Sequence, residues 1–320
     1  MLALTKTTRT AAVVGLSLFL AACGSDDEQG GRDDGEAGPF AAVDNVPAVQ
    51  FVSAVWSFGP DDVWVAADSG RMLHFTGAGW EEATVPEGVT VLDLWSYAPG
   101  ELIGAGANHL VRFDGSDWSV EEVSGSGFFA GVWGSADDDI WLVGDQSSAT
   151  HFDGTAWTNT LAAGPDNTVV WGSGPNDVYV ASTFEVARYD GTGWTSLDDG
   201  DLRGGEAIFG TRADDVWIAD GSQLFHLTDG TDLELIEPDN IGTTSALWGT
   251  APDAMWGAGN FGSLQRYDGS SWEEVQAQRI GAPLLRAFVD LHGSGPSDIW
   301  AVGAEFGDAG VTPVVYRFQP

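Results

Sequence analysis

The chain has 320 residues, with 12 Lys plus Arg against 48 Asp plus Glu, a formal net charge of −36. A surface of that sign repels nucleic acid and anionic lipid headgroups, excluding both as direct partners, and it favours solubility. Fifteen Trp and 44 Gly with little helical periodicity point to many short strands joined by tight turns.

Residues 1–22 have the three parts of an export signal: a basic start with Lys6 and Arg9, an apolar run over residues 11–20, and small residues before a cleavage point. The apolar run is too short to span a bilayer as a mature helix. The string Leu20-Ala21-Ala22-Cys23 resembles the bacterial lipobox. That resemblance implies a lipidated Cys23 thiol, cleavage that makes Cys23 the first residue, and N-acylation. Two or more acyl chains anchor a protein stably where one does so only marginally. Cys23 is the only cysteine, so no disulfide forms within the chain. Gly24 rather than Asp follows it, which by the same resemblance implies the outer membrane of a Gram-negative cell. Residues 23–39 are rich in Gly and Asp and have too little apolar surface to order, so they read as an acidic tether.

From residue 40 to residue 320 the chain repeats itself. Each unit opens on an aromatic: Trp56, Trp95, Trp133, Trp171, Phe209, Trp248 and His292, spaced by 38 or 39 residues until a final step of 44. A second bulky position follows at Trp64, Leu102, Trp141, Tyr179, Trp217, Trp256 and Trp300. A third closes most units at Trp80, Trp118, Trp157, Trp194 and Trp272. Each series holds five tryptophans, so all 15 have a repeat-wide packing role and none is left over as a lone ligand platform.

Pro/Asp pairs such as Pro60-Asp61 and Asp-Gly pairs such as Asp190-Gly191 supply the turns, giving four strands per unit, A to D. Four antiparallel strands recurring at about 40 residues is the blade pattern of a β-propeller. The chain resembles seven-bladed propellers of the kelch type and related bacterial WG-x-x-P-x-D-V-W repeat proteins. It lacks the Gly-Gly pair of kelch, the Gly-His and Trp-Asp ends of WD repeats, and the spacing of the sialidase Asp-box.

The seventh unit stops at Pro320, after strand C. Residues 41–55 align without a gap to residues 80–94, so residues 40–46 are expected to supply the missing strand D against residues 314–318. The expected fold is therefore all-β: seven four-stranded antiparallel blades closed by an N-terminal strand, with residues 1–22 as signal and 23–39 as tether.

His74, His151 and His226 occupy the strand-C position that Arg112, Arg188, Arg266 and Arg317 hold elsewhere. Such a repeated cation reads as a structural partner for a turn Asp. His292 differs, standing in the strand-A series that lines the channel, as an aromatic replacement or a polar channel ligand. The paired glutamates at 81–82, 121–122 and 273–274 fall on outermost strands, where charge discourages edge pairing. No zinc spacing, nucleophile elbow, phosphate loop or complete EF-hand is present, so no metal or cofactor is expected; Asp198-Asp199-Gly200-Asp201 is only a short acidic loop.

With antiparallel strands, the A–B and C–D turns share one face and the B–C and D–A loops share the other. Both long insertions fall on the second face, in units six and seven, and variable loops on a rigid scaffold are where function concentrates. They carry Arg279, Arg286, Glu305, Phe306 and Asp308, which with His292 form the expected recognition surface. The expectation is a monomeric, lipid-anchored binding or scaffold module for an envelope protein or carbohydrate. A propeller enzyme acting on glycans, as hydrolase or lyase, is the alternative, because one fold hosts both.

Overall fold

Within each repeat, β-branched and aromatic runs alternate with Pro, Asp and Gly, and each run becomes one strand of a four-stranded antiparallel sheet. The computed structural model describes residues 39–123, 128–145, 148–164, 167–197, 202, 204–228, 232–236, 242–277, 285–307 and 310–320. Seven such sheets follow one another, making a seven-bladed propeller. The innermost strands A are Val52–Gly59, Val91–Trp95, Phe129–Ala136, Asn167–Gly174, Ala207–Arg212, Ala246–Ala251 and Leu285–Gly295. In blade 1 the strands B, C and D are Asp62–Ala67, Arg71–Phe75 and Trp80–Thr84, and the other blades repeat that order. The face with the A–B and C–D turns is called the turn face below, and the opposite one the loop face.

All three aromatic series pack between blades. The strand-A ring of one blade lies over the glycine that follows the next blade's aromatic. A Cβ at Gly172 would stand 2.7 Å from the Trp133 ring, at Gly210 2.6 Å from Trp171, and at Gly293 2.7 Å from Trp248. Close approach of a neighbour is why glycine follows the aromatic. In the second series, Trp64, Trp141 and Trp217 stack on His74, His151 and His226 with centroids 4.0 Å apart. Arginines cover Tyr179, Trp256 and Trp300 in the same way.

The three histidines and Arg188 then reach the Asp that opens strand B: His74 to Asp62 at 2.7 Å, His151 to Asp139 at 2.6 Å, His226 to Asp215 at 2.7 Å and Arg188 to Asp177 at 2.7 Å. The Ser or Thr after the aromatic-Gly pair donates to the same carboxylate, as Ser173 does to Asp177 and Thr211 to Asp215, both at 2.5 Å. Burial alone would raise the Asp139 carboxyl, but the bonds from His151 and Ser135 outweigh it and hold Asp139 below its ordinary value. The sequence motif is thus a bracket tying strands A, B and C together at the turn face. The expected pairing with a turn Asp is present at His74, His151, His226 and Arg188, and looser at Arg317, 3.6 Å from Asp298. Arg112 instead meets Glu121 at 3.8 Å, and strand B of blade 6 opens on Ala254, which offers Arg266 no carboxylate.

Blade 7 is assembled from both ends of the chain, in the order Phe40–Ala42, Gly310–Phe318, Asp298–Gly307, Leu285–Gly295. The closing strand is shorter than expected. Phe40, Ala41 and Ala42 pair with Phe318, Arg317 and Tyr316, and the Val43 N–H donates to the Val315 carbonyl at 2.9 Å. Pairing ends there because Asn45 takes φ 57 and Pro47 has no N–H to donate. The register also differs by one residue from the ungapped alignment. Phe40, not Ala41, faces Phe318 as Trp80 faces Phe75. It lies edge-on to Trp256 of blade 6 at 5.6 Å, as Trp118 lies against Trp64 at 5.6 Å. That site needs a bulky ring, and Phe40 is fully buried in it.

Replacing Phe40 with Ala should cost about 3–5 kcal/mol in urea unfolding, the usual range for a buried Phe. Deleting residues 40–47 should lower the melting temperature sharply; an unchanged melting curve would contradict closure by this strand.

Candidate functional site

Strand A pairs on one side only, so seven inner edges of backbone face a common channel. The channel encloses a cavity of about 220 Å³. The residue before each first-series aromatic, from Val55 in blade 1 to Leu291 in blade 7, is aliphatic and lines it. The aromatics themselves, including Trp56, Trp171 and His292, stand at its turn-face end. One position nearer the loop face, five blades carry Ala54, Gly131, Val169, Ala207 or Ala246, and two carry Asp93 and Asp290.

These two carboxyls flank blade 1 and bridge neighbouring inner strands. Asp93 accepts the Leu94 N–H of its own strand and the Val132 N–H of blade 3, both at 2.8 Å. Asp290 accepts the Leu291 N–H at 2.8 Å and the Val55 N–H of blade 1 at 2.7 Å. Both line the cavity, so solvent in the channel touches them, and each is only partly exposed. Burial, with the Asp290 charge second, pushes the Asp93 carboxyl up to about 7. Burial likewise pushes Asp290 up to about 6. Among the described residues no Arg or Lys lines the channel. Glu206 stands exposed at its loop-face mouth and accepts the Ser245 hydroxyl at 3.2 Å.

His292 takes the place of an aromatic in the strand-A ring, and it lines the channel. It stacks on Trp56 with centroids 3.9 Å apart, and its Nδ1 accepts the Ser57 N–H at 3.0 Å. That bond places the proton on Nε2 of a neutral ring, and burial pushes the group down to about 3. The smaller imidazole also faces a blade that has Ser57 where five of the seven blades have glycine.

The second long insertion of blade 7 is strand rather than loop. Pairing between strands B and C continues to Gly307 and Gly310, with strand A running alongside from Leu285. Arg286 and Glu305, opposite in register, form an ion pair whose Nε–Oε1 distance is 2.9 Å. The Arg286 guanidinium lies 4.5 Å from the Tyr316 ring centroid, and the Tyr316 hydroxyl donates to Glu305 at 3.2 Å. Arg286 and Glu305 therefore brace this extension. Phe306 is half-buried on it. Cys23, Arg279 and Asp308 lie outside the described residues, as do residues 198–201. Among the described residues no group of three His, Cys, Asp or Glu side chains could hold a metal ion, and no helix is long and apolar enough to cross a membrane.

The sequence reading missed the apolar side chains left in solvent. Leu161 (80 % exposed), Phe184 (71 %), Phe261 (78 %) and Val311 (55 %) are the exposed large hydrophobics among the described residues. Leu161 ends a strand D, Phe184 and Phe261 sit in B–C connections, and Val311 is near the start of strand C beside the B–C turn of blade 7, so all four fall on the loop face. Phe261 has φ 61 and precedes Gly262 at φ 75, in a tight turn where the Ser263 N–H donates to Asn260 at 3.2 Å. A bulky residue held in that left-handed conformation costs roughly 1–3 kcal/mol, and such strain clusters at functional sites.

No family model matches the chain, and no curated protein matches it in sequence. Solved structures do match in shape. The structure of "YCF48 bound to D1 peptide" superposes with a TM-score of 0.68 at 14% identity, covering 89% of this chain and 98% of its own. YCF48 from Cyanidioschyzon merolae gives 0.67 at 16% identity, covering 89% and 99%. The extracellular domain of a putative hybrid two-component system from B. thetaiotaomicron gives 0.66 at 13% identity, covering 86% of this chain and 39% of that one. At such identities the likeness concerns the fold.

The two channel carboxyls have a pH consequence. Their folded values lie above the ordinary value of 3.8, so the folded chain holds more protons than the unfolded chain between about 4 and 7. Their contribution to stability therefore falls as pH rises through that window. Melting temperatures from pH 5 to pH 8 should decline less steeply in Asp93→Asn/Asp290→Asn than in the wild type. Parallel curves would remove these two groups as the cause.

Proposed function

We propose that this protein is an exported binding module that recognises a segment of another protein through its loop face. The observation that carries the reading is the collection of every exposed large apolar side chain among the described residues on that one face. Exposed apolar groups gathered on one side of an otherwise charged surface mark contact sites. One of them, Phe261, is held there at a conformational cost. A structurally similar propeller titled as bound to a peptide is consistent with this use of the fold. Phe306 and Val311 on the blade 7 extension belong to the surface, with Arg279 and Asp308 beside it in sequence.

Lipidation at Cys23 would anchor the protein to a membrane, the outer membrane of a Gram-negative cell by its lipobox resemblance. The geometry suits that arrangement. Phe40 sits at the turn-face end of its strand, opposite Phe318, and the Gln319 N–H donates to the Pro39 carbonyl at 2.5 Å. The tether thus joins at the turn face, and the loop face points away from the anchor. Seventeen residues from Cys23 to Pro39 reach at most about 60 Å.

A glycan-cleaving enzyme is the second reading, favoured by the Asp93 and Asp290 pair, since two carboxyls with raised and unequal values are what acid–base chemistry requires. It ranks below binding because each carboxyl already bridges two backbone N–H groups, and a cavity of about 220 Å³ is below the usual size of a substrate pocket, ~300 Å³ or more.

Affinity capture from the native cell envelope tests the binding reading. Phe184→Ser/Phe261→Ser/Val311→Ser should lose the captured partner while melting as the wild type does; capture that survives the triple change would overturn it. Separately, Cys23→Ser should move the protein from the membrane pellet to the soluble fraction.

A further inference from the structure

We infer that the partner segment is cationic, and that one of its Lys or Arg side chains enters the channel mouth toward Asp93 and Asp290. This rests on the loop-face reading above and names the chemistry that the face accepts.

The argument begins with charge. Glu87, Glu122 and Glu206 are exposed on the loop face, Glu185 adjoins Phe184, and none of them pairs with a described cation. The described arginines of that face are already engaged: Arg71 with Asp68 at 3.1 Å and with the Ala48 carbonyl at 2.9 Å, and Arg286 with Glu305. The face therefore offers apolar side chains set among uncompensated carboxylates. A neutral or acidic segment would match only half of that.

The channel supplies the second part. Asp93 and Asp290 repel one another across a confined space that no arginine or lysine of the described chain enters. The fold does not require them, because five blades close with Ala, Gly or Val at the same position. Their bonds to backbone N–H groups occupy one acceptor site on each oxygen, and a carboxylate has about four, so each can still accept from an ammonium or guanidinium group. Leu92, Ala130 and Val289 line the channel one position nearer the mouth than the two carboxyls and suit the methylene stem of such a side chain, whose charge then stops at Asp93 and Asp290. A cavity of about 220 Å³ holds one side chain of that length. Glu206 at the mouth stands where the stem would pass. A metal ion fits less well, since among the described residues no third ligating side chain joins the pair.

The test uses the full-length chain in detergent at roughly 0.3 M salt, where charges farther apart than about 6 Å are screened. A display library of random nonapeptides is selected in parallel on the wild type and on Asp93→Asn/Asp290→Asn. On the wild type, Lys and Arg should be enriched about tenfold at one position between bulky apolar residues. On the double variant that enrichment should vanish. No cationic enrichment would overturn the inference, and so would equal enrichment on the variant, which would assign the cation to the acidic surface at large.

Selected peptides also give a measurement needing no variant. Calorimetry at pH 6.5 in two buffers of different ionisation enthalpy should show proton release on binding, as the cation displaces protons from the two carboxyls; binding without proton release contradicts it. n-Butylammonium alone should compete only weakly. If it binds as tightly as the peptides, the channel takes free amines and the proposal fails. Apolar peptides without cations, lost on the Phe184/Phe261/Val311 serine variant, would sink this inference while leaving the loop-face reading intact.

Discussion

An aromatic ring laid across the backbone of the next blade is the contact on which this molecule depends. A propeller has no single core. Each sheet hides its faces only against its two neighbours, so bulky side chains must reach across every gap. Trp133, Trp171 and Trp248 do this at the channel, each over a glycine of the following blade. Farther out, Trp118 against Trp64, Trp194 against Trp141 and Phe40 against Trp256 repeat the act at mid-blade. Each buried ring contributes about 4 kcal/mol or more by area.

The two faces divide the remaining work. On the turn face the carboxylates are spent on structure. Asp139, Asp177 and Asp215 bracket three strands, and Asp114, Asp153, Asp190 and Asp268 each accept backbone and hydroxyl donors of their own turns. Hydrogen bonds from Thr155 and from Ser270 pull Asp153 and Asp268 down to about 2. Among the described residues the loop face has only isolated counterparts, Asp68 holding Arg71 and the Gln50 N–H and Asp220 holding its own turn, and it keeps apolar groups in water. A scaffold that satisfies one side so completely leaves the other free to vary.

This division was only partly legible in the sequence. Seven units, four strands per unit, the pairing of His74, His151 and His226 with acids, and closure by the N-terminal strand follow from patterns repeated several times, and repetition is what sequence reading detects. Asp93 and Asp290 break a pattern at one offset, where the reader's eye rests on the aromatic two positions later. The shared Asp-Leu before Trp95 and His292 was the available signal. Arg286 and Glu305 looked like free recognition groups because nothing local places them opposite each other; only the register of a long hairpin does. Phe261 escaped notice because its meaning lies in its backbone angle and exposure, which composition does not carry. Phe40 was misplaced by one residue because an ungapped alignment counts positions, whereas the protein selects the ring that fills the hole under Trp256.

The short closing strand also decides how the molecule meets a pull. Tension on the N-terminal segment enters at Phe40, at the turn-face end of a ladder of only three paired residues, before it reaches any longer strand. With the other blades folded, the closing strand hangs only by the link from Val43 to Phe51, so rejoining Phe318 closes a short loop at a length-dependent cost of about 2 kcal/mol of chain entropy. Blade 7 thus behaves as a clasp: the first part to open under load, and one that can shut again without the other six blades coming apart.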